Sequence, residues 1–354
     1  MNSPHASSRV RGCLLGVAVA DALGLAYEGL SPGRAARLLG PPDRYRLLGP
    51  WGMVSDDSEH NCLVAEALIL SGGDLARFQR ALAWRLRFWL LGLPAGIGWA
   101  TLRAILKLWL GFSPQRSGVD SAGNGPAMRA PILGAAVVDE ERLWPLVQAS
   151  ARISHRDPRA AAGAYAVALA TRLASRDPPV AASAYLAKLA QVLDREAPRL
   201  LELIRGAADS AGRGESTPAF ATSLGLQRGV SGFVEHSVPV ALHAWLSHPQ
   251  DYRAAVQAVI LCGGDTDTTG AMVGGILGAA LGQEGIPAAW LARLVEWPRS
   301  VSWMERLADQ LARCQASGRA GRRRRLPLVA LWPRNLLFMG LVLAHGLRRL
   351  APPY

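Results

Sequence analysis

Two acidic motifs, about two hundred residues apart, hold the side chains with the greatest capacity for chemistry. The first is Ser55-Asp56-Asp57-Ser58, and the second is Gly263-Gly264-Asp265-Thr266-Asp267-Thr268-Thr269. Their carboxylates and hydroxyls are hard oxygen ligands, which Mg²⁺ and Mn²⁺ prefer and zinc or copper sites rarely use alone. Four aspartates gathered without a cation would repel one another. If the fold joins the motifs, a metal ion is the natural explanation, and two close ions are a further inference.

Each motif taken alone is also typical of a helix N-terminus. Serine and aspartate side chains cap the free amides of the first turn and complement the helix dipole. Asp56 and Asp57, adjacent at a helix start, point about 100° apart, so they can face different ions. Asp265 and Asp267 lie two residues apart in an extended turn and can project to one side. The pair of motifs, more than either one, therefore indicates a metal site.

Small residues surround the second motif. Gly263 and Gly264 allow a tight backbone path immediately before its aspartates. The predicted helix that follows is rich in residues with little or no side chain, which favours close packing against another helix: Gly270, Ala271, Gly274, Gly275 and Gly278.

Three weaker candidates lie outside these motifs. Gly123-Asn124-Gly125-Pro126-Ala127-Met128-Arg129 favours a turn with exposed amides that can receive a phosphate, although an ordinary loop is the commoner explanation. Arg129 is a candidate for binding phosphate or for a structural ion pair. His155 precedes Asp157-Pro158, a helix start, and is a capping, core or site histidine. Glu28 follows an apolar segment. It is either a residue at the end of a helix without a chemical role or an acid of the active site.

The elements that position these residues are predicted to be helices. Apolar residues recur at helical spacing, as in Leu63, Ala67 and Leu70, and the alternation typical of strands is nearly absent. Breakers such as Asp177-Pro178-Pro179 separate the stripes, and the polar segment 212–223 is predicted to be a loop. We therefore predict an all-α fold with a dozen or more helices.

Composition narrows the class of protein. The chain has 354 residues, a formal charge of +12 and four cysteines without metal-knuckle spacing. Sparse cysteines indicate a reducing compartment, and we expect a cytoplasmic protein. The positive charge favours polyanionic partners, or it reflects an arginine-rich composition alone. An uninterrupted apolar run long enough to span a membrane is missing from the sequence.

The C-terminal region differs from the rest of the chain. Residues 316–325 end in four arginines and are predicted to be a basic linker. Residues 326–354 form an apolar and basic tail, predicted to contain a helix that docks on the main body, on a membrane surface or on a partner. The tail lacks the interleaved aromatic pattern of nucleic-acid binding, and its composition fits an anionic membrane surface better.

Taken together and in order, these motifs resemble the ADP-ribosylglycohydrolase family. The family includes the bacterial dinitrogenase reductase-activating glycohydrolase and the ADP-ribosyl-acceptor hydrolases. The resemblance is carried by five blocks within residues 10–285: Gly12-Cys13-Leu14-Leu15-Gly16 through Asp21-Ala22-Leu23-Gly24, Ser55-Asp56-Asp57-Ser58, Gly123-Asn124-Gly125 through Met128-Arg129, Ser154-His155, and Gly263-Gly264-Asp265-Thr266-Asp267-Thr268.

The resemblance implies a compact all-α catalytic domain over residues 1–315, with two Mg²⁺ ions (Mn²⁺ as an alternative) at its centre. The implied metal ligands are Ser55, Asp56, Asp57, Asp265, Asp267 and Thr268. The implied substrate-binding residues, which would hold the diphosphate and ribose of ADP-ribose, are Gly123, Asn124, Gly125, Met128 and His155. Glu28 matches a family glutamate at the site entrance. The sequence departs from the family pattern at Ser55 and Ser58, where threonine is common, and at Pro126, which lacks an amide.

The implied reaction is magnesium-dependent hydrolysis of an ADP-ribosyl bond at ribose C1″, in an ADP-ribosylated protein or a related conjugate. Asp56 or Asp57 would activate water, and Glu28 would assist proton transfer. Two alternatives are a metal-dependent phosphohydrolase and a non-catalytic ADP-ribose-binding protein. The sequence leaves open whether the acceptor is arginine, serine, an O-acyl group or nucleic acid, and it leaves the oligomeric state open.

Overall fold

A computed structural model describes residues 4–176, 181–322, 326–350 and 352. The predicted breaker Asp177-Pro178-Pro179 and most of the arginine run of the predicted linker, residues 323–325, lie outside the described residues. Within them, sheet pairing is limited to isolated bridges such as Val230 with Gly264. The prediction of an all-α fold is confirmed.

The first half of the described chain forms α1 Pro4–Gly24, α2 Pro32–Leu39, α3 Asp56–Ser71, α4 Leu75–Leu90, α5 Trp99–Trp109, α6 Gly125–Met128, α7 Pro131–Ala136, α8 Leu143–Arg152 and α9 Pro158–Ala174. The second half forms α10 Ala182–Glu196, α11 Pro198–Gly212, α12 Thr217–Ser223, α13 Val234–Ser247, α14 Tyr252–Ile260, α15 Thr266–Leu281, α16 Ala288–Leu291, α17 Val301–Ser317 and α18 Leu328–Arg348. Two 3₁₀ turns cover Glu140–Arg142 and Gln283–Gly285.

The centre of the molecule is a close antiparallel crossing of α1 and α15. A Cβ atom at Gly16 would lie 2.2 Å from the carbonyl oxygen of Gly274, and one at Gly278 would lie 2.1 Å from that of Gly12. Only glycine permits backbones to approach this closely. The close packing predicted from the small residues of α15 is therefore confirmed. It also brings the C-terminal half of α1 beside the start of α15.

The helices form an inner and an outer layer around this crossing. The inner helices α1, α3, α9 and α15 are buried on nearly all sides, so their sequences lack a polar face. Outer helices bury a single stripe, as α10 does with Tyr185, Leu189 and Leu193. Most buried apolar side chains belong to one continuous core. The inner helices thus form a rigid base for the polar residues at their ends.

Local sequence sets where several helices begin. The Ser55 hydroxyl accepts a hydrogen bond from the amide of Asp57 and caps α3. Asp157 caps α9 through the amide of Arg159, with Pro158 in the first turn, as the sequence predicts. The loop predicted over residues 212–223 is wrong in its second half. Ser216 caps a short helix there, because Ser-x-Pro is also a helix-start signal.

Helix α18 lies against the main body. The Arg334 guanidinium pairs with Glu296 at 2.6 Å and also donates to the carbonyl oxygen of Val54. The Asn335 amide donates to the carbonyl oxygen of Gly92 at 2.6 Å. The side chains of Arg334 and Asn335 are therefore buried at the contact of α18 with the body. None of the described helices has the length and apolar character needed to cross a bilayer.

Candidate active site

A cleft of about 570 Å³ opens where α1 and α15 meet. Its wall brings together residues that are distant in sequence, because the central crossing and the loops around it converge there. The predicted site residues that line it are Glu28, Asp56, Gly123, Asn124, Gly125, Met128, His155, Asp265, Asp267 and Thr268. Ser55 and Asp57 are buried behind the lining residues.

Three buried carboxylates converge at the floor of the cleft. One oxygen from each of Asp21, Asp57 and Asp267 lies within 4.8 Å of the other two. These aspartates come from α1, α3 and α15. The Thr268 hydroxyl also donates to Asp57 Oδ2 at 3.2 Å, which links the two acidic motifs directly. The fold therefore joins the motifs, as the metal-site interpretation requires.

The chemistry of this cluster fits a divalent cation. Within the described part of the chain, no arginine or lysine forms an ion pair with these aspartates. Asp57 Oδ1 is buried and has no hydrogen-bond partner among the residues that the structure describes. Burial, followed by the neighbouring carboxylates, raises the pKa of Asp57 and Asp267 well above the usual range. A bound cation would relieve both the repulsion and the orphaned oxygen.

Asp56 and Asp57 have different surroundings, although they are adjacent. The side chain of Asp56 lines the cleft, whereas that of Asp57 is buried at the floor. Asp57 Oδ2 accepts hydrogen bonds from the hydroxyls of Ser55 and Thr268. The predicted difference in direction between the two carboxylates is therefore present, and only Asp56 faces the space where a substrate would lie.

Asp21 is a site residue that the sequence analysis did not single out. Its carboxylate accepts hydrogen bonds from the amides of Ser55 and Ser58 and from the Ser58 hydroxyl, so it holds the start of α3 in place. Burial raises the pKa of Asp21 to about 7, although these hydrogen bonds oppose the shift. The available signal was a lone carboxylate within an apolar helix, since such a group is costly to bury.

The glycines of the second motif tie it to its neighbours. Gly263 and Gly264 adopt φ values of 68° and 78°, in the left-handed region that favours glycine. A Cβ atom at Gly264 would lie 2.0 Å from the carbonyl oxygen of Val230. The amide of Gly264 also donates to Leu30, and its carbonyl accepts from Gly29. The tight backbone path predicted here therefore connects Asp265 to the turn that carries Glu28.

The Gly123-Asn124-Gly125 loop contacts the acidic cluster through Asn124. The Asn124 side-chain amide donates to Asp265 Oδ2 at 2.6 Å, and its backbone amide donates to Gly232. Burial raises the pKa of Asp265, and the hydrogen bond from Asn124 opposes that shift. The loop and the second motif thus form one continuous wall of the cleft.

The ring of His155 packs against the two glycines of this loop. A Cβ atom at Gly123 would lie 3.1 Å from His155 Nε2, and one at Gly125 would lie 3.0 Å from Cε1. Burial lowers the pKa of His155 to about 3, so the ring is neutral. Its Nδ1 contacts the Ser154 hydroxyl, which accepts a hydrogen bond from Arg129. Arg129 is fully buried behind the loop, so its interpretation as a phosphate ligand is wrong.

Glu28 lies in the turn after α1, and the end of α18 reaches this turn. The Arg349 guanidinium donates to the carbonyl oxygens of Ala26 and Glu28, and a ring nitrogen of His345 lies 2.9 Å from the same Ala26 oxygen. Loss of solvent around the Glu28 carboxyl raises its pKa most, and the nearby carboxylate of Asp265 raises it further. The positive charge of Arg349 opposes the shift. The tail therefore contacts an edge of the cleft.

Three stretches of the cleft wall carried no chemical signal in the sequence: residues 96–101, which include the first turn of α5, Ser121, and residues 230–232. They provide shape and backbone groups, with few side chains that can ligate metal. The lining residues that the sequence analysis missed are Gly96, Gly98, Trp99, Ala100, Thr101, Ser121, Val230, Ser231 and Gly232. Glycine-rich composition was the available hint, and it does not distinguish a cleft wall from any other loop.

Fold and site together define a class of protein. It is an all-α protein with a polar cleft, and the carboxylates at the floor of the cleft could hold a metal ion. Residues 2–320 match the ADP-ribosylglycohydrolase family. The chain is 27% identical over 302 residues to the ADP-ribosyl-[dinitrogen reductase] glycohydrolase of Rhodospirillum rubrum, covering 83% of this chain and 92% of that protein. It is 26% identical to the ADP-ribosylhydrolase ARH3 of Gallus gallus, covering 80% of this chain and 88% of that protein.

Structural comparison agrees. A solved chain from an ADP-ribosylglycohydrolase-related protein complex superposes with a TM-score of 0.67 at 27% identity, covering 88% of this chain and all of that one. The chain belongs to the ADP-ribosylglycohydrolase family, and it is a glycosidic-bond hydrolase of ADP-ribose linkages. The resemblance predicted from the motifs is confirmed.

Proposed function

We propose that this chain is a magnesium-dependent hydrolase that cleaves the ADP-ribosyl bond at ribose C1″ of an ADP-ribosylated protein or related conjugate and releases ADP-ribose. The observation that carries the proposal is the cleft itself. Its floor gathers Asp21, Asp57 and Asp267 without a cationic partner among the described residues, and its wall holds Asn124 and His155. Such a site can receive a metal ion and a polar ligand side by side.

The ligand set favours Mg²⁺, with Mn²⁺ as the alternative, because every candidate donor is oxygen. The residues that would hold two ions are Ser55, Asp56, Asp57, Asp265, Asp267 and Thr268. Asp21 would orient the first motif through its hydrogen bonds to Ser55 and Ser58. When bound, the ions supply positive charge that neutralises the carboxylates and polarises the oxygen atoms they hold.

The glycine loop would bind the diphosphate and ribose. The amides of Ala127 and Met128 already donate to the carbonyl oxygen of Asn124. They are not free for phosphate, and the amide of Gly123 donates to the Ser121 hydroxyl. The diphosphate would therefore lie nearer the amide of Gly125. His155, neutral and wedged against both glycines, would fix the width of this part of the cleft.

Proton transfer would fall to the carboxylates that face the cleft. Asp56 and Glu28 both line it, whereas Asp57 is buried at its floor. Asp56 would therefore accept a proton from the attacking water, and Glu28 would assist proton transfer. Asp57 would serve as a ligand, which narrows the choice of base that the sequence left open.

The test is release of free ADP-ribose from a panel of ADP-ribosylated substrates, with Mg²⁺ and with EDTA. We expect release from at least one substrate in Mg²⁺ and none in EDTA, which would also identify the acceptor linkage. Asp57→Ala and Asp267→Ala should each abolish this turnover while the chain stays folded by circular dichroism.

Two results would contradict the proposal. Release of inorganic phosphate in place of ADP-ribose would indicate a phosphohydrolase. Binding of ADP-ribose by calorimetry without turnover of any substrate would indicate a non-catalytic binding protein. Full activity in either aspartate variant would refute the assigned ligand set.

A further inference from the structure

Helix α18 buries two polar side chains and leaves a row of large apolar side chains exposed. Arg334 and Asn335 are buried against the body. Six outward apolar side chains are 52% to 73% exposed: Val329, Trp332, Leu336, Leu337, Leu343 and Leu347. A surface helix of a globular protein normally shows the opposite arrangement. The exposed side of α18 is therefore mostly apolar, as the buried side of an ordinary surface helix is.

This surface continues onto α4 and α5. The Trp332 ring nitrogen donates to the carbonyl oxygen of Leu91 at 2.9 Å, which places the start of α18 beside the end of α4. Along α4, Trp84 stacks on Phe88 with ring centroids 5.9 Å apart, and Phe88 meets Trp109 of α5 edge-on at 6.4 Å. The side chains of these five residues, Trp84, Phe88, Leu91, Trp109 and Trp332, are each at least 38% exposed.

We call the outward side chains of α18, together with Trp84, Phe88, Leu91 and Trp109, the apolar face. It draws on three helices and contains three tryptophans. Contiguous apolar patches of this kind are rare on monomeric proteins that remain in water and usually mark an interaction site. Tryptophan in particular is enriched where a protein meets the boundary between lipid and water.

The segments that build the apolar face carry only positive charge. Residues 75–119 contain seven arginines and lysines and no aspartate or glutamate. Residues 326–354, which include α18, contain three arginines and again no acidic residue, although one of them, Arg334, is buried against Glu296. Basic groups also lie directly on its aromatic rings, since the Arg87 guanidinium sits 4.5 Å from the centre of the Trp84 ring. The segments that build the face therefore carry exposed cations, such as Arg77, Arg103 and Arg348, and no acidic residue of their own.

We propose that the apolar face binds the surface of an anionic lipid bilayer. Exposed leucine and tryptophan would enter the headgroup region, and exposed basic residues of the same segments would contact the phosphates. The face would lie on the bilayer, because no described helix can cross one. A second copy of this chain is a poorer occupant, since two such faces would bring like charges together. The proposal does not depend on the proposed function.

The test is cosedimentation of the full chain with vesicles of phosphatidylglycerol and phosphatidylcholine, compared with phosphatidylcholine alone. We expect at least about tenfold tighter binding to the anionic vesicles, weakening as salt is raised. The double variant Leu336→Ser/Leu343→Ser should lower this binding about tenfold or more. The matched control Val138→Ser/Leu261→Ser removes two exposed apolar side chains elsewhere and should bind like the unmodified chain.

The result that overturns the proposal is an unmodified chain that fails to bind anionic vesicles, or a double variant that binds as well as its control. Thermal unfolding checks that both double variants are folded. Trp84→Ser/Trp109→Ser repeats the test on α4 and α5, so a misfolded α18 variant does not end it. A concentration-dependent dimer, lost in the double variant without any vesicle binding, would assign the face to self-association instead.

Discussion

Two groups of buried carboxylates lie close together in this protein and have opposite surroundings. Glu59 pairs with Arg299, and Glu296 pairs with Arg334, with all four side chains no more than 4% exposed. Asp21, Asp57 and Asp267 are equally buried, but they have no such partner among the described residues. Asp57 and Glu59 are only two residues apart on α3, so the same helix contributes to both groups.

The difference separates structural acids from site acids. Burying a carboxylate is costly, and an arginine in hydrogen-bonding contact offsets that cost within the folded chain. Where the counter-charge is missing, the fold has kept an unfavourable arrangement that a bound cation can relieve. Burial alone therefore does not identify the active site; burial without a counter-charge from the protein does.

The largest expected effect comes from breaking a structural pair. Arg334→Met leaves Glu296 buried without its cation, and we expect the free energy of unfolding to fall by about 3–5 kcal/mol. Urea denaturation measures this. The control is Arg205→Met, whose exposed pair with Asp194 spans 3.9 Å and should change stability by less than about 1 kcal/mol. An equally small effect at Arg334 would remove the distinction between the two groups.

Asp57→Asn tests the other group. We expect ADP-ribose release to fall by more than about 100-fold, beyond what is typical when a hydrogen-bonding partner of a ligand is lost. The free energy of unfolding in EDTA should not decrease, because the change removes a buried charge that lacks a partner. Asp74→Asn, at an exposed helix cap, is the matched control and should change neither quantity. A metal-free variant that is clearly less stable would make Asp57 a structural acid.

The pH dependence of stability sharpens the comparison. The pKa of Asp21 is raised from about 3.9 in an unfolded chain to about 7 in the fold. Its contribution to metal-free stability is therefore fully present below about pH 4 and is lost as the pH rises through about 7. Mg²⁺ needs the deprotonated carboxylates, so its stabilising effect should increase over the same interval.

The measurement is the difference in Tm between Mg²⁺ and EDTA at several pH values from about 5 to 8. Taking the difference cancels the titration of groups outside the cluster, including the histidines. Asp57→Asn should show a small difference that varies little with pH. A difference in the unmodified chain that falls as the pH rises would mean that the carboxylates do not hold the metal.

The smallest effect is expected at Arg349, an arginine that does approach the cleft. Its guanidinium donates hydrogen bonds to the carbonyl oxygens of Ala26 and Glu28. It is not one of the arginines that pair with Glu59 and Glu296. Arg349→Met removes hydrogen bonds worth about 1 kcal/mol, so kcat/KM should fall about fivefold. Stabilisation by Mg²⁺ should change little. Arg348→Met, at its exposed neighbour, is the control and should leave kcat/KM unchanged.

Much of the site could be predicted because its residue types are unusual in their local setting. Paired aspartates before apolar helices, glycines at left-handed positions and an aspartate–proline helix start all follow from short-range chemistry. Asp21 was harder to predict, because its function depends on amides of α3 that are more than thirty residues away. Trp99 and Gly232 could not be predicted, because they contribute shape to the cleft.

The sequence by itself determined the all-α class, the starts of α3, α9 and α15 and the oxygen-rich character of the two motifs, because each depends on neighbours within about one helical turn. The tertiary structure alone decided which buried acids gained an arginine and which did not. It also decided that Arg129 supports His155 through Ser154, and that α18 buries Arg334 and Asn335 while several of its large apolar side chains stay exposed. These outcomes depend on which helix faces meet, and periodicity specifies a face without specifying its partner.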